Sequence, residues 1–313
     1  MAHAVETMFF VDQLPWHGLG EQLEGDPSVA EAVAASGLGW DVELVPLVAA
    51  DSGADAPARA VRRVTDRRIL GVVGPAYHPL QNAACFSWFQ PFLDAGLARL
   101  HTGGSLYGGR KVWLLAEIKR DAMEIGPGDT VRKHLLLSSS HDGSTSIRVG
   151  LTPIRVVCAN TLALAHSGTA GSQLIRVRHT RRLATNLEAL RDVINLADRE
   201  FAATAEQYRQ LRDRGINQAD LEKYVRRVFA LEDSTLNGNQ RHLLNSCLRL
   251  FEEGRGSDLP GVRGTLWGAY NSVSEFLGFE RGNSRDSRLG SLWFGASRRT
   301  NARALETALA MAA

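Results

Sequence analysis

The sequence predicts an α+β protein: an N-terminal antiparallel sheet of hairpins with packed helices, then an all-α C-terminal region with one long helix. Three observations lead there. Before residue 180, apolar residues alternate in short runs separated by Gly, Asp and Pro turn signals. After it, Leu183, Leu187, Leu190, Ile194, Ala197, Phe201, Thr204, Tyr208 and Leu211 step by four and three, the period of a helix packed along its length. The chain is 313 residues long and 44% hydrophobic, enough for one large or two ordinary cored domains. A division into an α+β core, 1–179, and a helical region, 180–313, follows.

The elements can be justified in order. Asp26-Pro27-Ser28 with Glu31 reads as a capping box opening a short helix to Ala35, stopped at Gly37. Trp40 to Val45 alternates as a strand, and a small-residue loop over 50–57 follows. Residues 59–74 form a hairpin with its turn near Asp66, and Leu80–Ala95 forms an aromatic-rich helix ending before Gly96. A second hairpin joins 97–102 to 111–118 across a glycine-rich tip. A third joins 131–139 to 145–151 across His141-Asp142-Gly143-Ser144, where Asp-Gly is the turn signal. Thr152-Pro153 is then expected to open a helix through Ala165 that carries Asn160. Further helices are expected near 218–231, 238–253, 265–278 and 298–312.

Composition removes several classes. No apolar run approaches the ~20 residues of a spanning helix, so no membrane is expected as a partner. The first residues carry acid where a signal peptide would carry Lys or Arg, which points to a cytoplasmic protein. Cys85, Cys158 and Cys247 are odd in number and far apart, against a disulfide framework or a cysteine zinc site. The overall charge balance hides a segregation. Residues 1–58 hold ten acids and no Lys or Arg, while the remainder holds 36 basic and 24 acidic side chains. Between Asp142 and Glu188 there is no acid, yet Arg148, Arg155, Arg176, Arg178, Arg181 and Arg182 accumulate. The natural partner of such a surface is a polyanion.

Catalytic motifs are scarce. The run Gly103 to Lys111 has the glycine spacing of a phosphate loop, but Arg110-Lys111 stands where Lys-Ser/Thr is required, and strands flank it on both sides. A flexible hairpin tip that carries basic residues is the reading adopted. The nine His show no pair at ligand-like spacing, and His141 beside Asp142 reads as turn chemistry. Neither a metal nor any other cofactor is expected, and no catalytic residue is assigned. One enzymatic alternative stands: Glu117 and Lys119 share a face at the end of the strand from Val112, an arrangement used by metal-dependent nucleases. Its nearest upstream acid, Asp94, falls at a helix end. A third reading makes the acidic first 58 residues a docking segment for a basic partner or another copy.

The basic residues carry the leading expectation. Arg148 and Arg155 flank Thr152-Pro153, Arg176 and Arg178 alternate on one strand face, Lys133 lies on the third hairpin and Lys111 opens the last strand of the second. On a shared sheet these six would form a cationic track binding phosphates. Residues 143–187 contain no aromatic side chain, so bases would remain unstacked there.

Several segments together resemble the phage- and plasmid-associated family of the domain of unknown function 932. They are Trp16-His17-Gly18-Leu19-Gly20, Trp40-Asp41-Val42, Tyr77-His78-Pro79-Leu80-Gln81-Asn82, Arg110-Lys111-Val112-Trp113 and Ser140-His141-Asp142-Gly143-Ser144. Arg155 to Leu162, His179-Thr180 and Gly264-Thr265-Leu266-Trp267 with Asn271 complete the set. Ala159 and Ser272 depart from the family's more frequent Asn and Ala. The resemblance implies a mobile-element protein and no activity. The order of a helix leading to Gly37-Leu38-Gly39-Trp40, strands, an Asp-Gly-Ser hairpin and a helix is also similar to the Rad-fifty-two superfamily of annealing proteins. That likeness implies a homo-oligomer, a ring among its forms, that holds single-stranded DNA by its backbone without a cofactor. Duplex DNA is the second candidate ligand.

Overall fold

Local chemistry fixes the first elements as the sequence implies. In the computed structural model, Ser28 caps helix α1 (Val29–Ser36): its hydroxyl accepts from the Glu31 amide, while Glu31 accepts from the Ser28 amide at 2.8 Å. Gly37 ends the helix in the left-handed conformation, φ 63°. The structure describes residues 5–11, 20–119, 122–155, 160–161, 175–182, 185, 202–231, 236–282, 288, 291–292 and 295–313. The architecture is α+β, with sheets in the N-terminal part and helices mostly in the C-terminal part.

The described residues group into two compact units that interleave along the chain. One draws on 1–120, 134–151 and 172–195, the other on 121–133, 152–171 and 196–313. In the first unit the strands are β1 (Val5–Val11), β2 (Glu21–Leu23), β3 (Val42–Val48), β4 (Asp55–Arg63), β5 (Ile69–Val73), β6 (Ala98–Leu106) and β7 (Lys111–Ile118). Past β8 (Met123–Gly126), this unit takes most of β9 (Asp129–Ser140), the start of β10 (Ile147–Arg155), and β12 (Ile175–Val177), which follows the short β11 (Asn160–Thr161). The main sheet of the unit has the order β10-β9-β7-β6-β1-β2, with β12 also paired to β10. Strands β3, β4 and β5 make a separate antiparallel sheet. Helices α1 and α2 (Asn82–Asp94) accompany them, and Phe9, Phe86, Phe89, Leu100, Leu106 and Trp113 are buried core residues.

Strands β1, β2 and β8 were not expected from the sequence. β1 runs antiparallel to β6 and opposes its glycines, Met8 to Gly104 and Phe9 to Gly103. A Cβ on Gly104 would sit 2.3 Å from the Thr7 carbonyl oxygen. Gly104 is therefore required by close strand packing rather than by a phosphate. The tip after β6 is also anchored: Arg63 Nη2 donates to the Gly108 carbonyl at 3.0 Å, and a Cβ on Gly109 would lie 2.0 Å from that nitrogen. The reading of a flexible tip is corrected accordingly.

The second unit contains β8, the first residues of β9, the end of β10, β11 and the helices. Helical residues 202–213 are followed by α3 (Gln218–Phe229), α4 (Gly238–Glu253), α5 (Leu266–Glu275) and α6 (Ala296–Ala312), with a π-helical turn at Phe276–Glu280 after α5. These lie close to the spans read from the sequence. The long helix from Leu183 is described only from 202 onward; its remaining residues, apart from 185, lie outside the described residues. Within the described part, Thr204, Tyr208 and Leu211 of the apolar stripe are buried. The helix expected to open at Thr152-Pro153 is a correction, because both residues belong to β10. Residues 147–149 pair with β12 and 154–155 with β11, and Pro153 lies in β10 between them. Asn160 likewise stands on β11 opposite Arg155, not on a helix.

Candidate nucleic-acid interface

The third hairpin organises the site. Ser140 ends β9, Ile147 begins β10, and the turn between them is closed by Ser140 Oγ, which donates to the Thr145 carbonyl at 2.9 Å and accepts from the Thr145 amide at 3.1 Å. Asp142 Oδ1 accepts from the Ser144 amide at 2.9 Å, the side-chain turn that Asp-Gly predicts. Lys111 pairs with Ser140 at this end of the sheet, and Arg148 stands directly opposite Arg176 on β12. In the strand order β12-β10-β9-β7, three of the six expected residues thus reach one end of one sheet, over about 14 Å at the usual strand spacing. Arg178 follows Arg176 by two residues, and both are exposed, as are Arg181 and Arg182. Lys111 Nζ lies 5.6 Å from the centre of the Tyr107 ring.

This end gathers positive charge. Arg148 is half-buried, and burial together with the neighbouring Arg176 charge lowers its pKa. Like charges directly opposite across strands are unfavourable. Among the described residues no carboxylate pairs with Arg176 or Arg178.

The other two expected residues are placed differently. Arg155 belongs to the second unit and is 1% exposed. Its Nε donates to Asp129 Oδ1 at 2.6 Å and its Nη2 to Oδ2 at 2.7 Å. Trp267 Nε1 donates to the same Oδ2 at 2.8 Å, and the carbonyls of Arg255 and Gly256 accept from Arg155 at 3.3 and 3.2 Å. A guanidinium so enclosed is a structural cation, and its expected contact with phosphate is corrected. Lys133 is also buried, at 2% exposed. For both, the sequence shows the charge but not what covers it.

Acids of the leading segment among the described residues pair with cations outside the expected six. Arg63 Nη1 and Nη2 donate to the two Glu6 carboxylate oxygens at 3.0 and 2.8 Å, Arg62 pairs with Glu43, and Lys119 pairs with Asp26. Arg63 hydrogen bonds pull the Glu6 carboxyl below its usual pKa although burial, the largest influence, pushes upward.

Beneath the turn lies a buried polar network in which His141 does more than shape the turn. Asn82 donates to the Trp40 carbonyl at 3.0 Å, which turns its own Oδ1 toward His141 Nε2, also at 3.0 Å. Nε2 therefore carries the proton. Burial, with the nearby His179 and Arg63, depresses the His141 pKa to about 3, so the ring is neutral at pH 7. His141 Nδ1 has no hydrogen-bond partner among the described residues. Gln81 bonds both the amide and the carbonyl of Val42, at 2.9 and 2.8 Å. Tyr77 donates to the Ser140 carbonyl at 2.7 Å and stacks on His179, centroids 4.6 Å apart. The segments around Trp40, Tyr77–Asn82, Ser140–Ser144 and His179 thus meet in one place within the first unit, and Arg155 meets Trp267 in the second. Trp16 to Leu19 and Cys158-Ala159 lie outside the described residues.

The family described as "Domain of unknown function (DUF932)" matches residues 69–308, more than half of the chain. The chain belongs to this family. No curated protein and no solved structure matches it. Membership in DUF932 assigns no activity, so the chemistry must be argued from the residues. Among the described residues of this DUF932 protein, no helix is long and apolar enough to cross a membrane.

Proposed function

We propose that this DUF932 protein binds single-stranded DNA through its sugar-phosphate backbone and promotes annealing of complementary strands, acting as an oligomer in recombination of a mobile element. The observation that carries the reading is the cross-strand pair Arg148–Arg176, with Lys111 at the same sheet end and Arg178 exposed beside it. A row of phosphates offsets the mutual repulsion of these cations, whereas neutral ligands do not. The buried Trp40–Asn82–His141 network supports the turn on which the cationic end is built. The likeness to Rad-fifty-two annealing proteins supports the reading through the order of α1, the strands and the hairpin. The helix expected at Thr152 no longer contributes to it.

The test is a titration of labelled single- and double-stranded oligonucleotides at rising salt, with and without Mg²⁺. Tight, salt-sensitive single-strand binding and ATP-independent acceleration of pairing are expected. Absence of binding at low salt overturns the proposal. Cleavage that requires Mg²⁺ and vanishes in Glu117→Ala would replace it with the nuclease alternative through Glu117 and Lys119.

A further inference from the structure

No two histidines are neighbours at ligand spacing in the sequence, yet three strands of the first unit bring two of them to one carboxylate. Glu117 on β7 lies directly opposite His134 on β9. On the other side of β7, Arg99 opposes Glu117 and Leu100 opposes Ala116, after which the register slips and Thr102 opposes Leu115. The extra residue at that slip is His101. A bulge of this kind re-aims the side chain it carries. One donor atom from each of His101, Glu117 and His134 lies within 4.8 Å of the other two. The His101 and His134 ring centroids are 4.8 Å apart at 67°, an edge-to-face contact rather than a stack.

We propose that His101, Glu117 and His134 bind a divalent transition-metal ion, independently of whether the chain binds DNA. Two imidazole nitrogens and one carboxylate oxygen form a ligand set suited to Zn²⁺ or Fe²⁺ and poorly matched to Ca²⁺ or Mg²⁺. Bonds of about 2.0–2.1 Å in tetrahedral geometry place ligand atoms roughly 3.3 Å apart, so small side-chain rotations close the set. Among the described residues no fourth Cys, His or acid joins the group, and His101 is partly exposed, which leaves a coordination position to solvent. Arg99 supplies the supporting contact. Its Nε and Nη2 both donate to the single oxygen Glu117 Oε2, at 3.2 and 2.8 Å. Two hydrogen bonds to one oxygen fix the orientation of the Glu117 carboxylate. Arg99 also lines a cleft of about 380 Å³ with Asp26, Gln90, Asp94 and Lys119, beside the carboxylate it holds.

The experiment uses the untagged full chain, stripped with chelator and dialysed, then titrated with Zn²⁺ by calorimetry and with Co²⁺ by visible absorption. One equivalent of Zn²⁺ and a Co²⁺ ligand-field band are expected, with affinity falling as pH drops because the ligands must be deprotonated. His101→Ala, at the partly exposed position, should weaken binding by at least about 100-fold while circular dichroism stays unchanged. His242→Ala, an exposed histidine elsewhere, should change nothing. No stoichiometric binding by the folded chain, or binding unaffected in folded His101→Ala, overturns the proposal and leaves Glu117 as the ion-pair partner of Arg99. These readouts involve no nucleic acid, so their failure is distinguishable from failure of the proposed DNA binding.

Discussion

At His141, burial decides the protonation state and with it a pH dependence of stability. The folded pKa, about 3, lies below the ~6.5 of an unfolded histidine. Between those values the unfolded chain takes up a proton that the folded chain refuses. The contribution is therefore complete above pH ~6.5 and is lost as pH falls, at up to about 1.4 kcal/mol per pH unit. His179, whose pKa burial also lowers, acts in the same direction. Urea unfolding at pH 7.5, 6 and 5 should show this slope, and His141→Asn should flatten it while lowering stability at neutral pH. An unchanged slope in a folded variant would refute the assignment. Arg155 makes the second residue-scale case. With Asp129 at 0% and Arg155 at 1% exposed, removing either partner leaves a buried charge alone. Arg155→Met or Asp129→Leu is expected to cost about 3–5 kcal/mol in denaturant unfolding, and the double change less than the sum.

Among the elements, α1 and the hairpins show how far local signals reach. The capping box, the left-handed Gly37 and the Asp-Gly turn are local chemistry, and each stands where the residues place it. Ser28→Ala should cost about 1 kcal/mol in unfolding free energy, because the Glu31 amide loses its acceptor. A change below a few tenths would mean that water replaces the hydroxyl. The glycine-rich tip shows the opposite case. Its composition suggests freedom, but β1 lies across Gly104 and Arg63 fills the space beside Gly109. Thr152-Pro153 misleads in the same way. A proline that reads as a helix start stands instead within the strand β10, where its fixed φ suits extended backbone.

For the molecule as a whole, charge segregation becomes a prediction about salt. If Lys111, Arg148, Arg176 and Arg178 contact phosphates while Arg155 and Lys133 stay enclosed, the slope of log K against log salt for single strands should be near −3. Contact by all six would bring it to about −4. Arg176→Ala/Arg178→Ala should flatten the slope by roughly 1.4 and weaken all sequences alike. A slope that ignores these changes would move the interface elsewhere on the protein. The interleaved units explain why the six split four to two. Strands β9 and β10 each contribute residues to both, so neighbours in the sequence such as Lys133 and His134 fall in different units.

By itself the sequence determined the fold class, most helix spans, the hairpin turns, the family and the segregation of acid from base. These depend on periodicity, capping and composition, which act over a few residues or over the whole sum. Only the tertiary structure decided which cations remain accessible, that His141 is buried neutral, and that His101, Glu117 and His134 share a corner of the sheet. Burial and cross-strand register join residues far apart in the chain. Asp129 beside Arg155 and a one-residue slip at His101 are facts of packing, to which local spacing is blind.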